Sequence, residues 1–358
     1  MKFSSKVQKC GLSPMRKFHP YAVAAEAKGR NIYHLNIGQP DIETPKAFFD
    51  AVRSFDLPVL EYAPSPGVPA LIEAIRGYYA ALDMHFAAED ILITNGGSEA
   101  LQIAMNCILD DGDEILIPEP FYPNYNTMAR TCGAVIHPVS TSPEEGYFYA
   151  DRRRIEAEIT PRTRAILVTN PGNPTGTVLT EEELKLMADI AKEHDLFIIG
   201  DEVYREFHYT DEPYVSALHL EGIEENVVLI DSVSKRYSEC GIRIGAVITR
   251  NMQLRNAMMK FAQARLSPPL LGQIVAEASL DAPKSYMEGI YEEYIERRNL
   301  LVNGLNKIPG VYSPMPNGAF YTMARLPIDD CDRFCEWLLR DFSYEGETVM
   351  FAPGSGFY

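Results

Sequence analysis

Short apolar runs recur through the middle of the chain, and amphipathic stretches separate them. The runs at 91–94, 114–117, 165–169, 196–200, 227–231 and 246–249 are rich in Ile, Val and Leu and almost continuous in apolarity. Such runs are expected of strands buried on both faces. Between them, 181–194 carries apolar residues at helical spacing. It opens on Thr180 with Glu183 three positions later, the spacing of a capping box. A second apolar helix is expected over 99–109. Strand and helix alternate, which predicts an α/β fold: a mostly parallel sheet between two layers of helices.

The texture changes after Pro268 and Pro269. Residues 273–306 read as one or two long helices, charged on one side through Glu288, Glu292, Glu293, Glu296, Arg297 and Arg298. Residues 310–326 read as strand and turn, and 330–341 as a further helix. The first 45 residues hold Pro14, Pro20, Pro40 and Pro45 and little periodicity, so they are expected to wrap around another part of the molecule. The simplest layout is a large domain over 46–266 and a smaller α/β domain built from both chain ends, 1–45 and 267–358.

Length agrees with that layout, since 358 residues correspond to about two domains. With 46% hydrophobic and 23% charged residues the chain is not disordered in bulk. Its 33 basic and 50 acidic residues leave a net charge of −17. That balance argues against general binding to nucleic acid or to anionic membranes, both of which need a positive field. No apolar run nears the about 18 residues that cross a bilayer, and the first 14 residues lack the apolar core of a signal peptide. The cysteines at 10, 107, 132, 240, 331 and 335 form no C-x-x-C pair. They read as free thiols of a cytoplasmic protein, with no metal site among them.

No G-x-G-x-x-G follows a strand, and P-loop, H-E-x-x-H and G-x-S-x-G motifs are missing too. What stands out is polar residues at strand ends, where open α/β sheets hold their ligands. Run 165–169 leads into Asn170-Pro171-Gly172-Asn173-Pro174-Thr175-Gly176. Run 196–200 leads into Asp201-Glu202-Val203-Tyr204, and run 227–231 into Ser232-Val233-Ser234-Lys235, with Arg243 beyond. Run 91–94 leads into Asn95-Gly96-Gly97-Ser98 at the start of a helix, a place where backbone N–H groups can meet a phosphate. A phosphate cradle, a buried acid, an amine and an arginine together describe a pocket for a phosphorylated, electron-accepting cofactor held by a lysine.

These segments resemble the fold-type I aminotransferases, the class I/II pyridoxal-phosphate enzymes of the aspartate aminotransferase superfamily. The resemblance extends to I-G-Q-P-D at 37–41, Tyr62 in a Y-x-P-x-x-G context, N-G-G-S-E-A at 95–100 and P-F-Y-P-N-Y at 120–125. It implies a large three-layer domain with a seven-stranded sheet, pyridoxal 5'-phosphate as cofactor, amino-acid and 2-oxo-acid substrates, and a homodimer with shared sites.

The resemblance also implies roles. Lys235 attaches to the cofactor aldehyde and moves the proton at the substrate Cα. Asp201 pairs with the pyridine nitrogen, Asn173 and Tyr204 bond the phenolic oxygen, and Tyr122 stacks on the ring. Gly97, Ser98, Ser232, Ser234 and Arg243 surround the phosphate, which Tyr62 reaches from the neighbouring subunit. Gly38, with Asn173, meets the substrate carboxylate.

Two departures bear on the substrate. Family members continue past F-A-P-G-S-G-F-Y, here 351–358, through a strand whose Arg binds the α-carboxylate, so that Arg is expected beyond residue 358. Some aspartate-preferring members carry Lys directly after the Gly-Gly pair, where this chain has Ser98. Another aspartate subgroup has an Arg near the position of Ala262, and here the nearest basic residue is Arg265. The expected reaction is transfer of an amino group from an L-amino acid (aspartate, aromatic or small aliphatic) to an acceptor such as 2-oxoglutarate. A β-eliminating carbon–sulfur lyase and a non-catalytic ligand sensor are the alternatives on the same scaffold.

Overall fold

A computed structural model describes residues 1–358. Nine strands form two sheets. β1 is Asn31–His34, β2 Ile91–Thr94, β3 Glu114–Pro118, β4 Val135–Val139 and β5 Thr163–Thr169. β6 is Phe197–Asp201, β7 Val227–Ser232, β8 Gly245–Ile248 and β9 Glu347–Met350. The large sheet has seven strands in the order β2-β8-β7-β6-β5-β3-β4. Only β8 runs against the others, pairing antiparallel with both β2 and β7.

The continuous apolar runs exist because the sheet is covered on both faces. Along β7, Val227 and Leu229 enter one buried cluster while Val228 and Ile230 enter the other. β5 divides the same way, with Ile166 and Val168 on one side and Ala165 and Leu167 on the other. The first layer is completed by the helices Pro69–Ala80 and Glu181–Glu193, the second by Gly97–Ile108, Asn124–Cys132 and Met252–Ala264. The capping box forms as expected: the Thr180 side chain accepts from the Glu183 amide at 3.2 Å, and Glu183 accepts from the Thr180 amide at 2.7 Å.

The chain ends meet in the two-stranded sheet, where β1 and β9 pair in parallel. Phe18, Ala22, Ala25 and Ile32 pack there with Cys335, Leu339 and Met350. The early segment thus holds a helix, His19–Glu26, and a strand that its weak periodicity did not announce. β4 was also hidden: it contains His137 and Pro138 and is only half-buried, as an edge strand can be.

One further expectation is resolved and one is corrected. Residues 273–306 are two helices, Leu270–Leu280 and Lys284–Leu305, broken before Pro283, which cannot continue a helix from the previous turn. Residues 310–326, expected as strand and turn, form no ladder, only isolated bridges between Tyr312 and Arg325 and between Gly318 and His208. The helix Leu270–Leu280 packs on Lys46–Arg53 and Pro69–Ala80.

Candidate active site

Four strand ends of the large sheet converge on one place. β5, β6 and β7 lie side by side and in parallel, so Thr169, Asp201 and Ile230 share one level of the sheet. β8 starts beside both β7 and β2, pairing Gly245 with Ser232 and with Thr94.

Asp201 is buried at the end of β6. Its Oδ2 accepts from the Tyr125 hydroxyl at 2.6 Å, and that hydroxyl lies 2.9 Å from Thr169 Oγ1. Burial pushes the carboxyl up to about 6, while the Tyr125 hydrogen bond and the Val203 amide pull the other way. Tyr122 lies in the same cluster. Burial raises its phenol, the Asp201 charge raises it further and the Arg243 charge opposes the rise. Tyr204 is buried as well; its hydroxyl accepts from Asn173 Nδ2 at 3.2 Å and meets the Tyr321 hydroxyl at 2.7 Å.

Lys235 stands on a four-residue helical turn, Val233–Arg236, directly after β7. Its Nζ donates to the Gly38 carbonyl at 2.5 Å, lies 4.0 Å from Cys240 Sγ and sits 6.0 Å from the Tyr204 ring centre. Burial lowers its pKa, Cys240 and Asp201 counteract, and Arg243 adds to the lowering. An amine shifted this way is a better nucleophile and base at neutral pH.

Facing the lysine turn is the start of the helix Gly97–Ile108. Its first-turn amides, including those of Gly97 and Ser98, have no acceptor inside the helix. Gly96 takes φ +77, and a Cβ there would fall 2.4 Å from Arg243 Nη2, so glycine is what allows the guanidinium to sit against the helix start. Arg243 itself has φ +59, a conformation costing about 1–2 kcal/mol for a residue with a side chain. Its Nη1 donates to the Cys240 carbonyl at 3.0 Å, and no carboxylate pairs with it within the chain. Helix amides and an arginine without an acidic partner make an anion-binding set.

Ser232 and Ser234 are buried beneath this set and hydrogen-bonded internally. Ser232 Oγ lies 2.8 Å from Ser234 Oγ and 2.9 Å from the Ile244 carbonyl, and it accepts from the Ser234 amide at 3.2 Å. Tyr62 is 78% exposed on the surface and makes no side-chain hydrogen bond within the chain. The structure therefore gathers Asp201, Asn173, Tyr204, Tyr122, Lys235, Gly38, Arg243 and the helix start, and leaves Tyr62 outside.

Several residues of the site were not legible as such. Tyr125 lies inside the P-F-Y-P-N-Y segment, but only the strand packing shows that it bonds Asp201. Tyr321 comes from the sequence-distant 318–321 segment. A buried charged chain also runs behind the site: Glu202 accepts from Arg205, Arg205 donates to the Tyr79 hydroxyl, and Tyr79 donates to Asp231, which accepts from Arg236. Burial alone would raise Asp231, but the charges of Arg236 and Arg205 hold it at about 2. Glu202 directly follows Asp201 and Arg236 directly follows Lys235, so this chain of ion pairs fixes the backbone at both positions.

Glu239, in the loop between Lys235 and Arg243, is buried with one hydrogen bond, from Ser279, and its Oε2 has no partner. Burial pushes its carboxyl up to about 8. A folded-state pKa above the unfolded one gives stability that is full below about pH 4 and is lost as pH rises through about 8. Glu239→Gln should keep the Ser279 bond and remove that loss. Thermal unfolding at pH 9 should then show the variant more stable than the parent by about 2–5 kcal/mol, with little difference at pH 5. Equal melting temperatures at pH 9 would refute a buried, proton-binding Glu239.

Arg265 is committed inside the chain. Its Nη2 donates to the carbonyls of Ser65 and Ile93 at 3.1 and 2.8 Å, and its Nε is 3.5 Å from Glu99.

Comparison with known proteins places the chain in a family. The family model for aminotransferase class I and II matches residues 30–344. The aspartate aminotransferase of Bacillus subtilis is 32% identical over 371 residues, covering 100% of this chain and 92% of that protein. That of Musicola paradisiaca is 31% identical over 364 residues, covering 99% and 88%. Among solved structures, Thermus thermophilus aspartate aminotransferase with maleate superposes with a TM-score of 0.90 at 30% identity, covering 100% of this chain and 92% of that one. Alanine aminotransferase from Pyrococcus furiosus gives 0.91 at 30% identity, covering 99% and 92%. With a family match over most of its length, relatives above 30% identity and the same fold around the converging strand ends, this chain belongs to the class I and II aminotransferases and is a transaminase.

Proposed function

We propose that the protein is a pyridoxal-phosphate-dependent transaminase that moves the amino group of an L-amino acid to a 2-oxo acid. The observation that carries this reading is the placement of Lys235, Asp201 and the Arg243–Gly97 anion set around one space. The residues fit the cofactor on their own chemistry. Arg243 and the Gly97 and Ser98 amides match a phosphate, Asp201 matches a protonated ring nitrogen, and Asn173 and Tyr204 match a phenolic oxygen. The tight space at Gly96 is what such a cradle needs, because a Cβ there would displace the guanidinium. Ser232 and Ser234 then support the cradle from below.

When bound, pyridoxal phosphate supplies an aldehyde for a lysine amine and a protonated ring that takes up electrons from the substrate Cα. The protein's own groups do the rest. Lys235 Nζ would take the Cα proton of the donor and return it, and burial, which lowers its pKa, shifts this amine toward its neutral form. Asp201 would meet the ring as a carboxylate, because a cationic partner reverses the effect of burial. Tyr122 would cover one face of the ring and Tyr204 would direct its hydroxyl toward the phenolic oxygen. Gly38 faces the lysine and would border the substrate carboxylate.

Arg265 is held by Ser65, Ile93 and Glu99, which weighs toward aromatic or small aliphatic donors over aspartate, with 2-oxoglutarate as an acceptor. Exposed Leu57, Val59, Leu60 and Tyr62 form an apolar stretch beside the site-bearing segment, which supports a homodimer in which Tyr62 serves the neighbouring subunit. The proposed division is a large cofactor-binding domain over 46–266, with the helix Leu270–Leu280 docked on it, and a smaller domain from the two chain ends. No helix is long and apolar enough to cross a membrane. That fact, the net charge of −17 and six free cysteines support a cytoplasmic enzyme of amino-acid metabolism that binds neither membrane nor nucleic acid.

The test is the visible spectrum of protein loaded with pyridoxal phosphate, before and after single amino acids. A visible band that one donor class bleaches and a 2-oxo acid restores is the expected result. The same preparation should sediment as a dimer. A protein that shows no visible band, or whose band responds to no amino acid, is not the proposed transaminase.

A further inference from the structure

Tyr204 and Tyr321 hold their hydroxyl oxygens 2.7 Å apart, with their rings perpendicular and 5.4 Å between centres. The two segments are fastened to each other by backbone bonds. The Ala319 amide donates to the Phe207 carbonyl at 2.6 Å, the Tyr209 amide donates to Asn317 at 2.7 Å, and the Tyr209 hydroxyl donates to Ala319 at 2.7 Å. The Tyr321 hydroxyl also lies 3.4 Å from the Gly38 carbonyl, the acceptor of Lys235 Nζ. A Cβ on Gly38 would fall 2.0 Å from that hydroxyl oxygen, so glycine is what lets Tyr321 approach.

The donors can be counted. Each tyrosine has one hydroxyl proton. Tyr204 already accepts from Asn173, so its proton goes either to Tyr321 or to a ligand in the pocket. When it goes to Tyr321, the Tyr321 proton is free for Gly38. When a pocket ligand takes it, the 2.7 Å contact stays favourable only if Tyr321 turns its own proton onto Tyr204 and releases Gly38. We propose that Tyr321 is a positioning residue that sets the direction of the Tyr204 hydroxyl and thereby links the cofactor pocket to the Gly38 carbonyl. This rests on the cofactor reading above and names a residue which that reading does not use.

A consequence follows for the loaded enzyme. Tyr321 donating to Tyr204 makes Tyr204 a stronger donor to the phenolic oxygen, because hydrogen bonds in a chain polarise one another. A strong donor draws charge from that oxygen, which then holds the neighbouring lysine-borne proton less tightly. The titratable groups facing the pair are Lys235, Cys240, Asp201, Tyr122 and Tyr294, and none of them is altered in the test below.

The experiment is a pH titration of the visible band of the holoenzyme in four forms: parent, Tyr321→Phe, Tyr204→Phe and the double variant. Phenylalanine keeps the ring packing against Phe320, whose centre is 4.9 Å from that of Tyr321. Tyr321→Phe should raise the midpoint by about 0.3 pH unit, as expected for losing one polarising neighbour. Tyr204→Phe should raise it more, and the double variant should match Tyr204→Phe alone. An unchanged midpoint in Tyr321→Phe overturns the proposal, and so does the same added shift in the Tyr204→Phe background, since Tyr321 would then act independently of Tyr204. A parent protein with no visible band would sink the cofactor reading instead, so the two failures are distinguishable.

Discussion

Lys235→Ala should lose about 10⁴-fold or more of turnover, the scale of a lost proton-transfer group, together with all covalent retention of the cofactor. The expectation rests on the position of Nζ at the Gly38 carbonyl, beneath the Tyr204 ring and within the field of Arg243. Among the residues gathered at the strand ends, Lys235 is the one with an amine. The backbone under it is held independently by the Arg236–Asp231 pair, whose Nη2–Oδ1 distance is 2.8 Å. Truncating Lys235 should therefore leave the fold intact and lower the melting temperature little. The checks are a steady-state transamination assay and intact mass after hydride reduction of the loaded protein. Parent-level turnover, or a reduced adduct in the alanine variant, would show that another group carries the chemistry.

Asp201→Asn should move activity and stability in opposite directions. In the cofactor-free protein the carboxyl is raised to about 6 by burial, even with Tyr125 and the Val203 amide favouring its charge. Because the folded-state pKa lies above the unfolded one, the associated stability is full below about pH 4 and is lost as pH rises through about 6. The loss by pH 7.5 is on the order of 3 kcal/mol. Asparagine cannot ionise, and its carbonyl oxygen can still accept from Tyr125. Thermal melts of cofactor-free protein should thus show the variant more stable than the parent at pH 7.5, with the gap narrowing to about 1 kcal/mol at pH 4.5 and closing below about pH 4. Activity should fall by roughly 10²–10³-fold, the scale for removing a preorganised charge from a site. A variant less stable than the parent at pH 7.5 would mean that the Asp201 carboxylate is stabilised in the empty pocket.

This opposition is the physical mark of a residue kept for function. Burying an acid without a cation is unfavourable, and the gain comes only when a positive partner enters. Asp231 shows the contrast. It is equally buried, yet Arg236 and Arg205 hold it at about 2, so its stability is present above about pH 4 and is lost only as pH falls toward 2.

The large sheet was legible from the chain because its strands are covered on both faces, and that produces runs such as Val227–Ile230 that few other environments produce. The helix Glu181–Glu193 was legible for a local reason, the reciprocal bonds of Thr180 and Glu183. Lys235, Asp201, Asn173 and Arg243 were legible because each lies in a short segment next to a strand end. β1, β4 and β9 left weaker traces. They are short or half-exposed, and β1 and β9 acquire their partner only across more than 300 positions of chain.

The sequence by itself therefore determined the layered α/β architecture and the strand ends on which the proposed site is built, which follow from local pattern, while the resemblance of its motifs pointed to Lys235 as the proposed reactive amine. Tertiary structure alone decided which groups surround those residues: Tyr125 on Asp201, Tyr321 on Tyr204, the Gly38 carbonyl on Lys235 and the ion pairs behind them. The reason is that hydrogen bonds and pKa shifts depend on distance and burial in space. Residues 125 and 201, or 38 and 321, become neighbours only when the sheet and the segments from both chain ends have closed around one pocket.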